Sequence, residues 1–476
     1  MDATATAFIE WFRKHGFQNE AVGLAHFSDM GRGAIALQDI PPESVLLSIP
    51  RSILLNTATS KLPSLLAPNE LQALTGWTAL ILSMMWESCQ PNSVWQEYLA
   101  IMPAHFDSLM FWSEPDLKQL EGCAVLNKIG KEQAVEDYHT LIRPLLKDRA
   151  DLFKPADYYS EELYNRMGSL ILSRSFHIEE GTSAELQPAV EDNREEEEID
   201  LYDLETDDDH EDVAQVSMVP WADMLNARHG CDNARLFYEE KCLNMCSTKA
   251  IKQGEQIWNV YGDPPNADLL RRYGHVDLHN PSDVVELSAD VVAEVACKGD
   301  REEKIEFLLE AELDDTYAFT FDDHAEEFEQ FLSCVAVFNS DQAAFSKMQK
   351  KGKVSIKGLM EDKQLLRLSR TIFSRRLLQY PHLYEDDELT LQNAASMPSR
   401  LRSATLVRHA EMRILRHMKA ELDEQLPDVG EVDPDSTSGP CKKVSSKKSE
   451  RGDRKRDRER DRSPGSTVRD EKRNRT

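Results

Sequence analysis

The chain has 476 residues, of which 41% are hydrophobic, so it is long enough to form two or three globular domains. Its 85 Asp and Glu against 56 Lys and Arg give a net charge of -29, so we expect no direct nucleic-acid role for the acidic body and a basic partner instead. No apolar run reaches the ~18 residues of a membrane helix, and the eight cysteines form no CxxC pair, so we expect an intracellular monomer without a membrane partner.

The predicted elements begin with a helix over residues 4–14, followed by three short strands, AVGLAHF, GRGAIALQDI and SVLLSIP. From about 59 to 172 the apolar residues recur at helical spacing. Short strands with turns return from about 213 to 288, and helical periodicity dominates from 301 onward. The pattern predicts an α+β chain in which a β-rich frame carries a helical insert and precedes an all-α C-terminal domain.

Two charged segments lack the apolar residues that folding needs. Residues 191–212 hold fourteen acidic side chains against one arginine, which predicts a disordered acidic loop over about 185–213. Residues 442–476 hold fifteen Lys or Arg against seven Asp or Glu. They predict a disordered basic tail, 427–476, whose clusters favour the nucleus as the location, with the cytoplasm as a second one.

Two Tyr-Gly pairs stand twelve residues apart in NVYGDPPNADLLRRYGHVD, which begins at residue 259. Glycine frees the backbone and Pro-Pro ends regular structure, so two simple turns are one reading of this stretch. The chain also contains GRG from Gly31, SRSF over 173–176 and VPWADMLN over 219–226. Each motif is weak alone, but their order along the chain carries more information than any one of them.

With these four motifs in this order, the chain resembles SET-domain protein-lysine methyltransferases of the branch typified by the Rubisco large-subunit methyltransferase. That branch includes fungal enzymes for ribosomal proteins and animal enzymes for nuclear proteins. The resemblance implies a SET domain over 1–290, with the insert and acidic loop inside it, and a helical substrate-binding domain over 291–426. It also implies S-adenosylmethionine as the cofactor and a basic protein, such as a ribosomal protein, as the substrate.

The resemblance assigns roles to individual residues. Tyr261 and Tyr273 are the expected catalytic phenols. The residues expected to bind the cofactor are Met30, Gly31, Arg32, Gly33, Arg174, Asn226, Ala227 and Tyr261. The residues expected to bind the substrate are Arg174, Asp223, Tyr238 and Tyr273. Phe176 is expected to be a wall or core residue, and for Tyr238 a position packed in the core stays open.

The chemistry of methyl transfer to lysine agrees with this assignment. The ammonium must lose a proton before it can attack, and burial beside a positive sulfonium favours the neutral amine. A phenol can then orient the amine lone pair, and Tyr261 is the predicted phenol. Tyr273 is expected to form another wall of the channel.

Two positions depart from the family pattern. Ala227 stands where a histidine is usual, and His275 stands where another aromatic residue is usual; His229 is a partial substitute for the missing imidazole. The spacing of the cysteines speaks against a metal site. Two alternatives stay open, namely methylation of a histidine by the same fold, and a binding module that has lost catalysis.

Overall fold

The computed structural model describes residues 2–28, 30–178, 215–322, 324–355 and 357–426. These residues all fall in one compact unit, Met1–Pro427. The acidic loop predicted at about 185–213 and the basic tail predicted at 427–476 lie outside the described residues.

Short strands make up the β-rich frame. They are β1 Phe17–Gln18, β2 Val22–Phe27, β3 Gly31–Ala36, β4 Val45–Pro50, β5 Ser175–Ile178, β6 Gln215–Met218, β7 Asn226–Ala227, β8 Ala234–Tyr238, β9 Cys242–Ser247, β10 Gln256–Asn259, β11 Val284–Ser288 and β12 Thr316–Thr320. They form two sheets in the orders β1-β4-β9-β8 and β2-β3-β10-β7, and two further pairs, β5-β6 and β11-β12.

Helices fill the insert and the C-terminal part. They are α1 Ala3–His15, α2 Leu62–Leu65, α3 Pro68–Gln72, α4 Thr78–Cys89, α5 Gln96–Ile101, α6 Glu114–Leu117, α7 Lys131–Asp137, α8 Arg143–Asp148, α9 Glu161–Arg174, α10 Asn266–Asp268, α11 Ala289–Ala296, α12 Arg301–Glu310, α13 Ala325–Asn339, α14 Gln342–Lys351, α15 Lys363–Leu377, α16 Tyr384–Leu391 and α17 Ser399–Gln425. Several begin at an acidic cap, as α1 does, where Asp2 accepts from the Ala5 N–H at 2.7 Å.

One sheet brings three of the sequence motifs together. Strand β10 lies between β3, with which it is antiparallel, and β7, with which it is parallel. The register places Ile257 beside Ala34, and Asn259 beside Ala227. Three segments are therefore neighbours in this sheet, namely the GRG strand, the end of VPWADMLN and the start of the first Tyr-Gly stretch. The fourth motif joins them through the β5-β6 pair, where Ser175 lies opposite Met218.

The buried apolar side chains form two cores. The first extends from α1 through both sheets to β10 and contains the long insert helices α4 and α9. The second contains the helices beyond residue 288 together with Leu109, Trp112 and Leu120 of the insert. The insert therefore contributes to both cores.

Most predicted elements are present at the expected places, including the opening helix, the first strands, the helical insert and the helical C-terminal part. The prediction of an all-α C-terminal domain overlooks β12, whose TYAFT sequence alternates exposed and buried residues as it pairs with β11. No helix of the described chain is long and apolar enough to span a bilayer.

Candidate active site

The two Tyr-Gly pairs lie side by side. The rings of Tyr261 and Tyr273 are stacked, with centroids 5.0 Å apart and planes 16° from parallel. Tyr261 follows β10, whereas Tyr273 ends the π-helical turn Leu269–Tyr273. The fold thus brings the two phenols to one point.

The backbone conformation explains why a glycine follows each tyrosine. The φ angle is +72° at Gly262 and +77° at Gly274, in the region that favours glycine. At Gly274 an added Cβ would also lie 2.7 Å from backbone atoms of Asp107 and Ser108. The two turns therefore exist, and the second one packs against the backbone of the insert.

A backbone carbonyl holds the hydroxyl of Tyr261, which donates to the Leu225 oxygen at 2.7 Å. Burial is the main reason why the pKa of Tyr261 is raised well above its ordinary value, and the opposing effect of Arg174 is smaller. The ring is therefore a neutral phenol at physiological pH. Because its proton points at Leu225, the lone pairs of the phenol oxygen are directed elsewhere and can accept a hydrogen bond.

The Leu225 carbonyl belongs to a turn with an unusual backbone. The 3-10 turn Ala222–Met224 begins after Trp221, whose φ of +77° is rare for a bulky side chain. Trp221 is fully buried, and its ring centroid lies 6.1 Å from that of Phe8 and 6.5 Å from that of Phe12, both on α1. Aromatic packing from the N-terminal helix thus holds a conformation that the local sequence does not favour.

The structure revises the predicted role of Asp223, which the resemblance places beside the incoming peptide. Asp223 is only 2% exposed, and its Oδ2 accepts from the Tyr98 hydroxyl at 2.6 Å. Its Oδ1 has no hydrogen-bond partner among the described residues. Burial raises the pKa of Asp223 to about 7, against the smaller opposing effects of Arg174 and Tyr98. A carboxyl group enclosed in this way supports the turn and does not present itself to a peptide.

Tyr98, the donor to Asp223, is a site residue that the sequence does not predict. It lies on α5, fully buried, with its ring centroid 6.2 Å from that of Phe8 and 6.3 Å from that of Trp11. On the other side of the turn, Arg174 donates from Nη1 to the Asp223 carbonyl, and its Nε is buried with no partner in the described chain. A tyrosine at a core position of a helix carries no sequence signal that separates this role from packing.

The GRG strand approaches the predicted cofactor residue Asn226 closely. A Cβ at Gly33 would lie 2.4 Å from Gln256 Oε1 and 2.5 Å from Asn226 Nδ2, and these two side chains are hydrogen bonded to each other at 2.8 Å. At Gly31 a Cβ would meet no atom, but the φ of +72° favours glycine. Gly33 is therefore required by space and Gly31 by conformation.

The side chains of Met30 and Arg32 are engaged with neighbours. Arg32 donates to the Ile101 carbonyl at 2.9 Å and to Asp2 at 3.0 Å. The sulfur of Met30 lies 3.6 Å from Nη2 of Arg228. The main chain of this turn is the part left for a ligand, as the resemblance implies.

A cleft opens beside these segments and is bordered by Ala227 and His275 among others. The His275 ring centroid is 5.9 Å from that of Tyr273, and burial lowers the pKa of His275, so that the imidazole is neutral. At the rim, His229 Nδ1 lies 2.8 Å from Asp263 Oδ1. The cleft therefore has a neutral ring on one wall and a contact between an imidazole and a carboxylate at its edge.

Two further predicted residues differ in their exposure. Tyr238 is 48% exposed at the end of β8, which excludes the core position that the sequence left open. Phe176 packs, partly buried, against the first core. The described residues contain no group of three His, Cys, Asp or Glu side chains that could hold a metal ion.

Two protein families match parts of this chain. Residues 31–262 match the SET domain family, and residues 300–415 match the family described as Rubisco LSMT substrate-binding. The two matches follow each other along the chain, the SET domain first and the Rubisco LSMT substrate-binding domain second.

Two of the similar proteins are named as lysine methyltransferases. The chain is 33% identical to Ribosomal lysine N-methyltransferase 4 of Saccharomyces cerevisiae over 52% of its own length and 50% of that protein. It is 30% identical to N-lysine methyltransferase setd6 of Xenopus laevis, over 61% of its length and 62% of that relative. The matched region thus spans between half and about three fifths of these relatives.

Solved structures agree on the fold. The structure of Rubisco LSMT bound to AdoMet superposes with a TM-score of 0.66 at 19% identity, covering 89% of this chain and 92% of that one. The structure of Rubisco LSMT bound to sinefungin and monomethyllysine gives a TM-score of 0.64 at 18% identity. The similarity covers both the SET domain and the helices that follow it.

Proposed function

We propose that this protein is an S-adenosylmethionine-dependent protein-lysine N-methyltransferase. The observation that carries the proposal is the stacked pair of Tyr261 and Tyr273, in which the Tyr261 hydroxyl is anchored on the Leu225 carbonyl. The names of the relatives, which are lysine methyltransferases, support lysine over histidine as the acceptor. We further propose that the SET domain spans 1–290 and the substrate-binding domain 291–426.

The residues present fit the methionine end of the cofactor. Arg174 Nε is a buried donor without a partner, which suits a carboxylate, and Asp223 Oδ1 is a buried acceptor without a partner, which suits an ammonium group. When bound, S-adenosylmethionine supplies a methyl group on a positively charged sulfur. Asn226 and the main chain of the turn from Gly31 to Gly33 would hold the remainder, because Gly33 packs directly against the Asn226 side chain.

The role of Tyr261 follows from its hydrogen bond. Its proton is directed to Leu225, so the phenol oxygen accepts a hydrogen from the substrate amine and thereby fixes the direction of the amine lone pair. Because the pKa of Tyr261 is raised, the ring is not a phenolate and does not act as the base. Tyr273, stacked on it, forms an apolar wall that favours the neutral amine over the ammonium.

We propose a basic protein as the substrate, with a ribosomal protein as the particular expectation. The net charge of -29 favours a basic partner, and one relative is named as a ribosomal lysine methyltransferase. The test is to incubate the full chain and labelled S-adenosylmethionine with a lysate of cells that lack this protein, and to assign the labelled site by mass spectrometry. Label on histidine would support the alternative acceptor, and no label with a folded protein would support a binding module.

Replacing Gly33 by alanine is expected to weaken donor binding about tenfold, because the new methyl group must separate Asn226 from Gln256. Calorimetric titration with S-adenosylmethionine measures the effect. Gly23→Ala in β2 is the matched control, since the atoms nearest to its Cβ would be those of the flexible Leu37 side chain, from 3.0 Å. Equal affinities for the two variants would contradict a donor site at Gly33.

We also propose that the basic tail, through the Lys and Arg clusters of its residues 442–476, directs the protein to the nucleus. The tail combines fifteen Lys or Arg with seven Asp or Glu and follows the compact unit that ends at Pro427. A fluorescent fusion that lacks the tail is expected to lose nuclear enrichment and to keep its methyl-transfer activity. Nuclear enrichment equal to that of the full chain would reject this role of the tail.

A further inference from the structure

Positive charge is concentrated in one part of this acidic chain. Residues 347–376 contain ten Lys and Arg and only two acidic residues, whereas the whole chain has 56 against 85. Eight of the ten are exposed. We call these eight the basic surface, and they are Lys347, Lys350, Lys351, Lys353, Lys357, Lys363, Arg367 and Arg375.

The backbone makes most of this surface continuous along the chain. Helix α14 ends at Gly352, whose φ of +60° turns the chain, and α15 begins at Lys363. The last turn of α14, the connecting loop and the first turns of α15 therefore follow one another. Phe345 and Leu359 are buried in the second core and anchor this segment, which leaves the cations on the outside.

The eight cations form no ion pair among the described residues, in contrast to the two remaining arginines. Arg370 pairs with Asp423, and Arg376 pairs with Glu411. Of the two acids within the segment, Asp362 uses its Oδ1 to cap α15, where it accepts from the Gln364 N–H at 2.8 Å. Like charges that follow one another at helical spacings of three and four residues repel, as at Lys347, Lys350 and Lys351, so the surface is unfavourable in isolation.

We propose that the basic surface binds the phosphate backbone of nucleic acid. Six of its eight members are lysines, which contact phosphates as flexible point charges and need no fixed geometry. The segment 347–376 contains one aromatic residue, Phe373, and it is fully buried, so the segment offers no ring on which a base could stack. Binding through phosphates alone is therefore independent of sequence.

This proposal is compatible with the negative charge of the whole chain. At physiological salt the screening length is about 8 Å, so acidic groups elsewhere on the surface act weakly on a strand that contacts the lysines directly. The net charge describes the chain as a whole, whereas phosphates would contact only the local cluster of cations. The inference is also independent of the proposed enzymatic activity.

The experiment uses the full chain and a labelled oligouridylate of about 20 nucleotides, with oligothymidylate of the same length in parallel, and follows fluorescence anisotropy over a range of salt. The test variant changes Lys350, Lys351, Lys353 and Lys357 to Glu. The matched control makes the same change of charge at four exposed lysines of the insert, which are Lys61, Lys118, Lys131 and Lys147.

The test variant is expected to bind at least about 30-fold more weakly at ~100 mM salt, and to lower the slope of log K against log salt by about 3, at roughly 0.7 per lost contact with a single strand. The control should keep the slope of the full chain. Two results would overturn the proposal, namely an equal loss in both variants, which would indicate net charge alone, or no loss in the test variant, which would assign binding to the basic tail.

Two further measurements complete the test. Tighter binding of polyglutamate than of an oligonucleotide of equal charge would also overturn the proposal, because the partner would then be an acidic polypeptide. A second variant with Gln in place of the same four lysines should give about half the change in log K, since it removes charge without reversing it. Circular dichroism is expected to show the same fold for all variants, because every substituted side chain is exposed.

Discussion

Replacement of Tyr261 by phenylalanine is expected to lower turnover about 100-fold, or roughly 2–3 kcal/mol in the barrier, while donor affinity changes by less than about threefold. The substitution removes the oxygen that is held by the Leu225 carbonyl and that accepts from the amine. It leaves the ring stacked on Tyr273, so the wall of the channel is kept.

Single-turnover kinetics on the natural substrate and calorimetry with the donor separate the two quantities. Tyr273→Phe is the matched control, because it removes the same atom from the other ring of the stack. Its turnover should fall by a smaller factor. Turnover of Tyr261→Phe within about threefold of the parent protein, with normal donor binding, would show that Tyr261 does not orient the amine.

Replacement of Tyr98 by phenylalanine is expected to lower turnover about tenfold at pH 7, although Tyr98 lies behind the reacting groups. Its hydroxyl donates to Asp223 Oδ2, and the same turn presents one carbonyl to Arg174 and another to Tyr261. Loss of this donor leaves a buried carboxyl without its hydrogen bond from Tyr98. The turn that positions the Leu225 carbonyl is then less well held.

The pH dependence distinguishes this role from packing. The Tyr98 hydroxyl favours the charged form of Asp223, so loss of this hydroxyl raises the pKa of Asp223 above the value of about 7. The fall in turnover at low pH should therefore begin at a higher pH in the variant. Since the folded pKa lies above the ordinary value of 3.8, stability falls as pH rises from about 4 to about 7, and the variant extends this fall to higher pH. Arg174 and Tyr261 also act on this carboxyl and stay in place.

Tyr138→Phe is the control for the Tyr98 variant. The Tyr138 hydroxyl donates to the Tyr159 carbonyl at 2.8 Å in the same core but away from the candidate site. Both variants should lose about 1 kcal/mol of stability in denaturant unfolding. An identical turnover profile for the two would mean that Tyr98 contributes to packing alone.

The sequence predicts which segments form the site, but it does not predict the hydrogen bonds and packing that hold those segments in place. Local motifs mark the residues that need special backbone angles, such as Gly31 and Gly274, and the order of the motifs predicts which segments meet. The hydrogen bond between Tyr98 and Asp223 joins residues 125 positions apart, and neither residue type is unusual at its position. The positive φ of Trp221 follows from tertiary packing on α1, which no local pattern encodes.

The sharing of the insert between two cores has a consequence for the synthesis of the chain. Leu109, Trp112 and Leu120 are buried against residues that extend to Leu426, near the end of the described chain. At a synthesis rate of about 5–20 residues per second, these side chains emerge ~15–60 s before their last partners. During that time the nascent chain presents an apolar segment without its partners, so its yield in cells should depend on chaperones that bind before translation ends.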